Sequence, residues 1–231
     1  SIQDGRKRPV MVWLHGGGFS AGSSIEQLAY DGENLSRAGD VVVVSVNHRL
    51  NVLGYLDLSP FGEKYRDSAN AGNFDLIAAL EWIRDNIEGF GGDPENVTLF
   101  GQSGGGVKVW SLLQMPEADG LFHKGIIESG VIDPDLFGDI EAGNGREIIG
   151  AMLAELGLEE KDVDQLETLP YDQLAQAYEN AAPKVAQKGE YVGNHPHKNQ
   201  SYFGDAIKHG FREETKKIPL LIGTVLGEFD F

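Results

Sequence analysis

Short, uninterrupted apolar runs recur along the chain and predict buried strands. Pro9–Leu14 is followed directly by a glycine-rich segment, and Val41–Val46 is rich in β-branched residues. Runs of this length are typical of strands covered on both faces, as in parallel sheets. Further strands are predicted at Val97–Phe100, Lys124–Glu128 and Pro219–Gly223.

Apolar residues at helical spacing lie between these runs. Glu33–Ala38 predicts a short helix, and Asn73–Ile87 predicts an amphipathic crossover helix. Glycines and the Asp93–Pro94 dipeptide then predict a break and a turn, and Val107–Leu113 predicts an apolar helix. Strands that alternate with helices indicate an α/β fold, with a mostly parallel sheet and helices on both faces.

The segment before the last predicted strand has a different, acidic composition. From Asp133 to Glu179 there are thirteen acidic residues and two basic ones. Apolar residues keep a helical period there, at Ile148, Ile149, Met152, Leu153 and Leu156. We therefore interpret residues 133–215 as an acidic helical insertion or cap region within a single domain over residues 1–231. This interpretation is favoured over an acidic interaction tail.

Composition excludes several classes of function. The 231 residues include no cysteine, which excludes disulfides, thiol nucleophiles and thiolate metal sites. A net charge of −17 argues against nucleic acid as a partner, because no basic stripe is present to neutralise phosphates. No apolar run approaches the roughly 20 residues of a membrane helix, and no signal peptide opens the segment. We expect a soluble protein, cytoplasmic or secreted, that uses no cofactor and no metal.

A glycine-rich turn directly after the strand Val97–Phe100 carries the most informative chemistry. Residues 101–105 are Gly-Gln-Ser-Gly-Gly. A serine presented from a sharp strand-to-helix turn has a strained backbone, and neighbours without a Cβ avoid clashes there. The N-terminus of the following helix favours negative charge at this point. The context predicts that Ser103 is a nucleophile; the alternative is a tight turn with a spectator serine.

A second glycine-rich loop, His15–Phe19, also follows a predicted strand. Its three consecutive glycines allow backbone N–H groups to point into one cavity. Acyl transfer needs such donors, because its tetrahedral intermediate carries a negative oxygen. A phosphate-binding loop is the alternative, but neither GxGxxG nor GxxxxGK[ST] is present. We expect His15 to hold the loop by hydrogen bonding rather than to react.

Three blocks of sequence together are similar to one family. Val12–Phe19, Phe90–Gly105 and Gly120–Gly130 resemble the type-B carboxylesterases, which include the para-nitrobenzyl esterases and cholinesterases on the α/β-hydrolase fold. The resemblance implies that Ser103 is the catalytic nucleophile. It also implies an oxyanion hole built from the backbone N–H groups of Gly17, Gly18 and Gly104.

The resemblance further implies roles for residues around the nucleophile. The family's triad acid is a glutamate shortly after an Ile-Gly-Thr strand end, which makes Glu228 the candidate. Gly227 and Phe229 depart from the family's usual neighbours of that glutamate. Ser129 is implied as a hydroxyl near the acid, and Gln102 replaces a usual glutamate, which removes a negative charge beside the nucleophile.

The catalytic base is missing from its expected place. In this fold the triad follows the order serine, acid, histidine, and only three residues follow Glu228. All six histidines precede it, and the His195–His197 pair is interpreted as part of a surface loop rather than a metal site. We therefore expect the chain to be an internal portion of a longer enzyme, incomplete at both ends, whose remaining portion supplies the histidine.

The predicted activity is hydrolysis of small-molecule carboxylic esters through an acyl-enzyme. Ser103 attacks, and Glu228 orients a histidine from outside this segment. Two alternatives stay open. One is a non-catalytic binding or adhesion member of the same fold, which the missing histidine favours and the intact serine and glycines oppose. The other is a different serine hydrolase, such as an amidase or a lipase.

Overall fold

In the part of the chain that the structure describes, five strands form a parallel sheet with helices packed against it. The computed structural model describes residues 4–131 and 142–228. Its strands are β1 (Arg8–Leu14), β2 (Val42–Val46), β3 (Gly92–Gln102), β4 (Lys124–Glu128) and β5 (Leu220–Gly223). Their order across the sheet is β2-β1-β3-β4-β5, and every neighbouring pair is parallel. All five predicted strands are therefore present, and the predicted α/β class is confirmed.

The described helices include the four predicted periodic segments, and also Asn51–Tyr55, Tyr171–Ala186 and Ala206–His209, for which no period was predicted. They are α1 (Glu33–Gly39), α2 (Asn51–Tyr55), α3 (Ala71–Asn86), α4 (Gly104–Leu112), α5 (Arg146–Glu155), α6 (Tyr171–Ala186) and α7 (Ala206–His209). Helix α4 begins at Gly104, earlier than its apolar pattern predicts, because glycines carry no side chain that contributes to such a pattern. In the described part of the chain, no helix has the length and apolar character that crossing a bilayer requires.

Helices cover both faces of the sheet, as the alternating direction of the side chains along β1 shows. Val12 and Leu14 are buried in one hydrophobic cluster with residues of α3 and α4. Successive side chains of a strand point to opposite faces, so Trp13 faces the other side. Its ring lies 4.9 Å from that of Tyr30, and Leu35 of α1 lines a small cavity beside it.

The predicted turn at Asp93–Pro94 lies inside a strand rather than before it. The pairing register between β1 and β3 shifts between Arg8 and Val10, so β3 has a bulge at this point. Pro94 has no N–H to donate to the ladder, which is why it is tolerated at a bulge. The Asp93 carboxylate accepts the Glu95 N–H at 3.0 Å.

A second hydrophobic cluster lies in the segment predicted as an insertion. It unites α5, α6 and the 3₁₀ helix Glu160–Glu167 with residues near α2, and it buries Ile148, Ile149, Met152 and Leu153, while Leu156 packs against it. The predicted helical stripe is thus present. The boundary placed at residue 133 lies outside the described residues.

Part of the acidic face of this segment is paired with basic side chains. Lys64 Nζ lies 2.9 Å from Asp164 and 2.8 Å from Glu167. Arg146 lies 2.8 Å from Glu160. These pairs are exposed, so each contributes about 1 kcal/mol or less to stability.

Candidate active site

Four strands end at the same edge of the sheet and bring the predicted site residues together. β1 leads into the loop His15–Phe19, and its neighbour β3 leads into Ser103. β4 leads into Ser129, and β5 precedes the segment that ends with Glu228 in the described part of the chain. Parallel strands place their carboxyl ends on one side, where ligands bind in open α/β sheets. Residues distant in sequence therefore meet here.

Ser103 occupies the strained turn that the sequence predicts. Its backbone has φ 55° and ψ −126°, a conformation that a non-glycine residue keeps only where its surroundings impose it. The Ser103 N–H donates to the Glu128 carbonyl at 2.8 Å, and its own carbonyl accepts the Val107 N–H at 3.0 Å. The residue is half-buried at the N-terminus of α4, and Gln102 beside it is exposed. A partly accessible hydroxyl thus faces the positive end of a helix dipole.

The glycine loop touches this turn through backbone atoms. Gly17 and Gly18 have φ values of 84° and 60°, which lie in the left-handed region. A Cβ added to Gly104 would lie 2.4 Å from the Gly18 nitrogen, and one added to Gly16 would lie 3.6 Å from the Ser103 Cβ. The loop and the serine turn are therefore in direct contact, and side chains at these glycines would separate them.

Glu228 is held by two hydrogen bonds at the same edge. The Ser129 side chain hydrogen-bonds to the Glu228 carboxylate, and the Val225 N–H donates to Glu228 Oε1 at 2.9 Å. These two bonds, that from Ser129 first, lower the pKa of Glu228. Ser129 itself has φ 52°, and its N–H donates to the Gly223 carbonyl at 2.7 Å. An ionised carboxylate in a fixed position is what orienting an imidazolium requires. Phe229 lies outside the described residues.

Within the described ranges, the Ser103 side chain makes no hydrogen bond with a histidine. His15 is buried, and its Nδ1 lies 2.9 Å from the Gly16 carbonyl oxygen, so it holds the glycine loop as expected. His48 packs against it, with ring centres 5.0 Å apart. His123 Nδ1 accepts a backbone N–H at 3.1 Å, a structural role.

The His195–His197 segment is more buried than a surface loop. Both rings are half-buried and pack around Tyr191, with centroid distances of 5.3 and 4.9 Å. The intervening proline and the aromatic packing position these rings. Over residues 4–131 and 142–228, no group of three or more metal-ligating side chains comes together.

Sequence reasoning missed Lys108, a lysine buried behind the glycine loop. Its side chain is fully buried on α4, and Nζ donates to the His15 carbonyl oxygen at 2.9 Å. Nζ also lies 6.0 Å from the centre of the Phe19 ring. Burial lowers the pKa of Lys108 to about 7. The available signal was a single charged residue inside the otherwise apolar run Val107–Leu113.

The chain is similar to known esterases in sequence. A profile of the carboxylesterase family matches residues 2–231. The chain is 40% identical over 230 residues to the para-nitrobenzyl esterase of Bacillus subtilis (strain 168), which covers 95% of this chain and 44% of that protein. It is 44% identical over 128 residues to the acetylcholinesterase of Gallus gallus, and this match covers 55% of this chain and 16% of that protein.

Solved structures lead to the same group. An esterase from the anaerobic Clostridium hathewayi, described as able to hydrolyse aliphatic aromatic polyesters, superposes with a TM-score of 0.94 at 58% identity, covering 98% of this chain and 45% of that one. A thermophilic PNB esterase superposes with a TM-score of 0.80 at 37% identity, covering 99% and 46%. These neighbours have the α/β-hydrolase fold, and so does this chain. The chain spans less than half the length of each of these relatives.

Proposed function

The chain belongs to the carboxylesterase family, and from that premise we propose that it carries the nucleophile and oxyanion hole of a serine esterase. The observation that supports this most strongly is the backbone contact between the strained Ser103 turn and the loop Gly16–Gly18. Acyl transfer requires a nucleophile and a set of main-chain N–H donors that lie next to each other.

The proposed reaction has two stages. The Ser103 hydroxyl attacks the ester carbonyl carbon and gives its proton to a histidine, while the N–H groups of Gly17, Gly18 and Gly104 hold the oxyanion. Collapse of the tetrahedral intermediate breaks the ester C–O bond, and the alcohol leaves with that proton. Water then attacks the acyl-enzyme with the same histidine as base, which releases the carboxylic acid and restores the serine.

We assign the acid of the triad to Glu228 and a supporting hydroxyl to Ser129. The lowered pKa of Glu228 keeps the carboxylate ionised near neutral pH, so it can stabilise an imidazolium. We propose that the histidine comes from a further segment of the full-length enzyme, which corresponds to the region of the relatives that this chain does not match. Apolar side chains at and after β5 support a docking place for that part, since Leu221 is 67% exposed and Val225 63% exposed.

Within a single domain, residues 133–215 are proposed as a cap region beside the site. The separate hydrophobic cluster of α5 and α6 supports this, because it gives the segment a core of its own next to the sheet. Asn194 in this segment donates to the Ser20 hydroxyl at 2.9 Å, directly after the glycine loop. A cap in this place would border the entry of substrate.

The proposed substrates are small-molecule carboxylic esters. The 58% identity with an esterase described as hydrolysing aliphatic aromatic polyesters supports esters that combine aromatic and aliphatic groups. p-Nitrophenyl esters of short acids and soluble bis-esters of terephthalic acid test this range. Peptide and anilide analogues of the same acids test the amidase alternative.

The deciding experiment compares the full-length enzyme with its Ser103→Ala variant. We expect the wild type to hydrolyse p-nitrophenyl butyrate and to form a covalent adduct with a fluorophosphonate at Ser103. The variant should form no adduct and lose about 10⁴-fold or more of kcat. Ser59→Ala, at an exposed hydroxyl, is the matched control and should retain both properties. Unchanged hydrolysis by Ser103→Ala would overturn Ser103 as the nucleophile. A wild type that neither turns over nor reacts would leave a binding protein as the better description.

A further inference from the structure

Lys108 is a buried cation placed directly behind the glycine loop. It lies on α4, whose first residue is Gly104, and its side chain is 0% exposed. Its hydrogen bond runs to a neutral carbonyl oxygen, that of His15. Burying an ammonium group without an opposite charge is costly, and within residues 4–131 and 142–228 no carboxylate pairs with Nζ.

The ammonium group lies near the residues that flank the three glycines on both sides. At one end, Nζ donates to the His15 carbonyl oxygen at 2.9 Å, just before the three glycines. At the other end, Nζ lies 6.0 Å from the centre of the Phe19 ring, just after them. The Phe19 ring is held from another side by the edge of Tyr55, with ring centres 4.8 Å apart. Glycines need such external restraint, because their own backbone prefers no single conformation.

The backbone around Lys108 is itself fixed by a buried polar chain. The Ser111 hydroxyl donates to the Lys108 carbonyl at 2.9 Å, and it accepts from the Asn73 amide at 3.1 Å. The Tyr55 hydroxyl donates to Asn73 at 3.1 Å. Helices α2, α3 and α4 are therefore tied together beneath the loop, and Lys108 extends from this support to the loop.

We propose that Lys108 is the positioning residue of the oxyanion loop: its buried ammonium holds the His15 carbonyl and the Phe19 ring so that the amides of Gly17 and Gly18 stay beside Ser103. The proposal rests on the proposed esterase function. The ammonium also adds a fixed positive charge behind the site, where the low local dielectric strengthens attraction to a developing oxyanion.

Among the charged and titratable groups around Lys108, Lys108 itself is the one that changes charge near neutral pH. Burial, together with the charge of Lys108, lowers the pKa values of His15 and His48, that of His48 to about 3. Both imidazoles are therefore neutral at pH 7. Burial raises the pKa of Tyr55. Asp75, which faces His48, is ionised, because hydrogen bonds from Arg49 lower its pKa against the opposing effect of burial.

The test compares Lys108→Met with wild type in the full-length enzyme. Methionine has a similar length and no charge, so the apolar stem stays packed. We expect kcat to fall about tenfold or more while KM changes less than about twofold. A trifluoromethyl ketone that forms a hemiketal with Ser103 should bind more weakly by the same factor as kcat/KM, which a purely structural role would not produce. Lys188→Met, at an exposed lysine after α6, is the matched control.

A pH profile of the wild type provides a test that needs no variant. Because the pKa of Lys108 is about 7, we expect kcat to fall above about pH 7, with the fall nearly complete by about pH 9, and KM to change little. A level kcat over that range overturns the proposal, as does a folded Lys108→Met with kcat within about twofold of wild type. Failure of the esterase function would instead appear as a wild type that neither hydrolyses esters nor reacts with the fluorophosphonate.

Discussion

At the scale of single residues, the site depends on backbone conformations that side chains disfavour. Ser103 and Ser129 both have positive φ values, and each follows a strand of the same sheet. Residues in such conformations cost on the order of 1–3 kcal/mol each, and surrounding contacts must offset that cost. For both serines the contact is a backbone hydrogen bond to the adjacent strand, at 2.8 and 2.7 Å. The sheet therefore sets the positions of both hydroxyl groups.

Ser129→Ala should change the acid side of the pH–rate profile. The Ser129 hydrogen bond is the main cause of the lowered pKa of Glu228, so its loss raises that pKa toward the ordinary value. The carboxylate then becomes protonated at a higher pH, and the ratio of wild-type to variant kcat/KM should be larger at about pH 5 than at about pH 8. Ser59→Ala should give a ratio near one at both values. If the ratio for Ser129→Ala does not change with pH, the Ser129 hydroxyl does not control the ionisation of Glu228.

At the scale of elements, the closest approach in the site is between the end of β1 and the start of α4. A Cβ added to Gly105 would lie 1.9 Å from the Leu14 carbonyl oxygen, a backbone atom that cannot move independently. The helix can therefore lie against the strand only with glycine at this position. The same contact fixes the distance between the serine turn and the glycine loop.

Gly105→Ala should lower the free energy of unfolding by about 3 kcal/mol or more, because backbone atoms must separate to admit the methyl group. Gly150→Ala is the matched control: it lies in α5 with no atom near its added Cβ, and it should stabilise the protein by about 0.5–1 kcal/mol. Urea unfolding followed by circular dichroism measures both. Equal effects of the two substitutions would contradict the packing argument.

These elements also show what the sequence could and could not predict. β1 and the turn at Ser103 were predictable, because an uninterrupted apolar run and a run of glycines each have few structural interpretations. The bulge in β3 was not, since Asp93–Pro94 has the composition of an ordinary turn and only the pairing with β1 reveals otherwise. Lys108 was missed because its partner is the carbonyl of a residue on another element, which periodicity within one helix cannot indicate.

At the scale of the whole molecule, the buried ammonium links stability to pH. Burial lowers the pKa of Lys108 from 10.5 to about 7. Between these values the unfolded chain binds a proton that the folded protein does not, so this group makes stability rise with pH. Below about pH 7 both states are protonated and the penalty is complete, at about 1.4 kcal/mol for each unit of pKa shift.

Lys108→Met removes this dependence. The free energy of unfolding of the variant, relative to that of wild type, should be higher at about pH 6 than at about pH 9. The lost hydrogen bond adds the same amount at both pH values and does not affect this comparison. Urea unfolding of both proteins at the two pH values measures the difference, with Lys188→Met as the control that should show none. A difference of the same size at both values would mean that Lys108 titrates at its ordinary pKa in the folded protein.

The contact between Gly105 and the Leu14 carbonyl has a consequence for how such a protein can diversify. With no free space between strand and helix, Ser103 and the proposed main-chain donors of the glycine loop behave as one rigid unit. Adaptation to a bulkier or more polar ester then cannot proceed by adjusting that unit without damaging it. Substrate preference has to evolve on the opposite wall, among side chains that the catalytic backbone leaves free to vary.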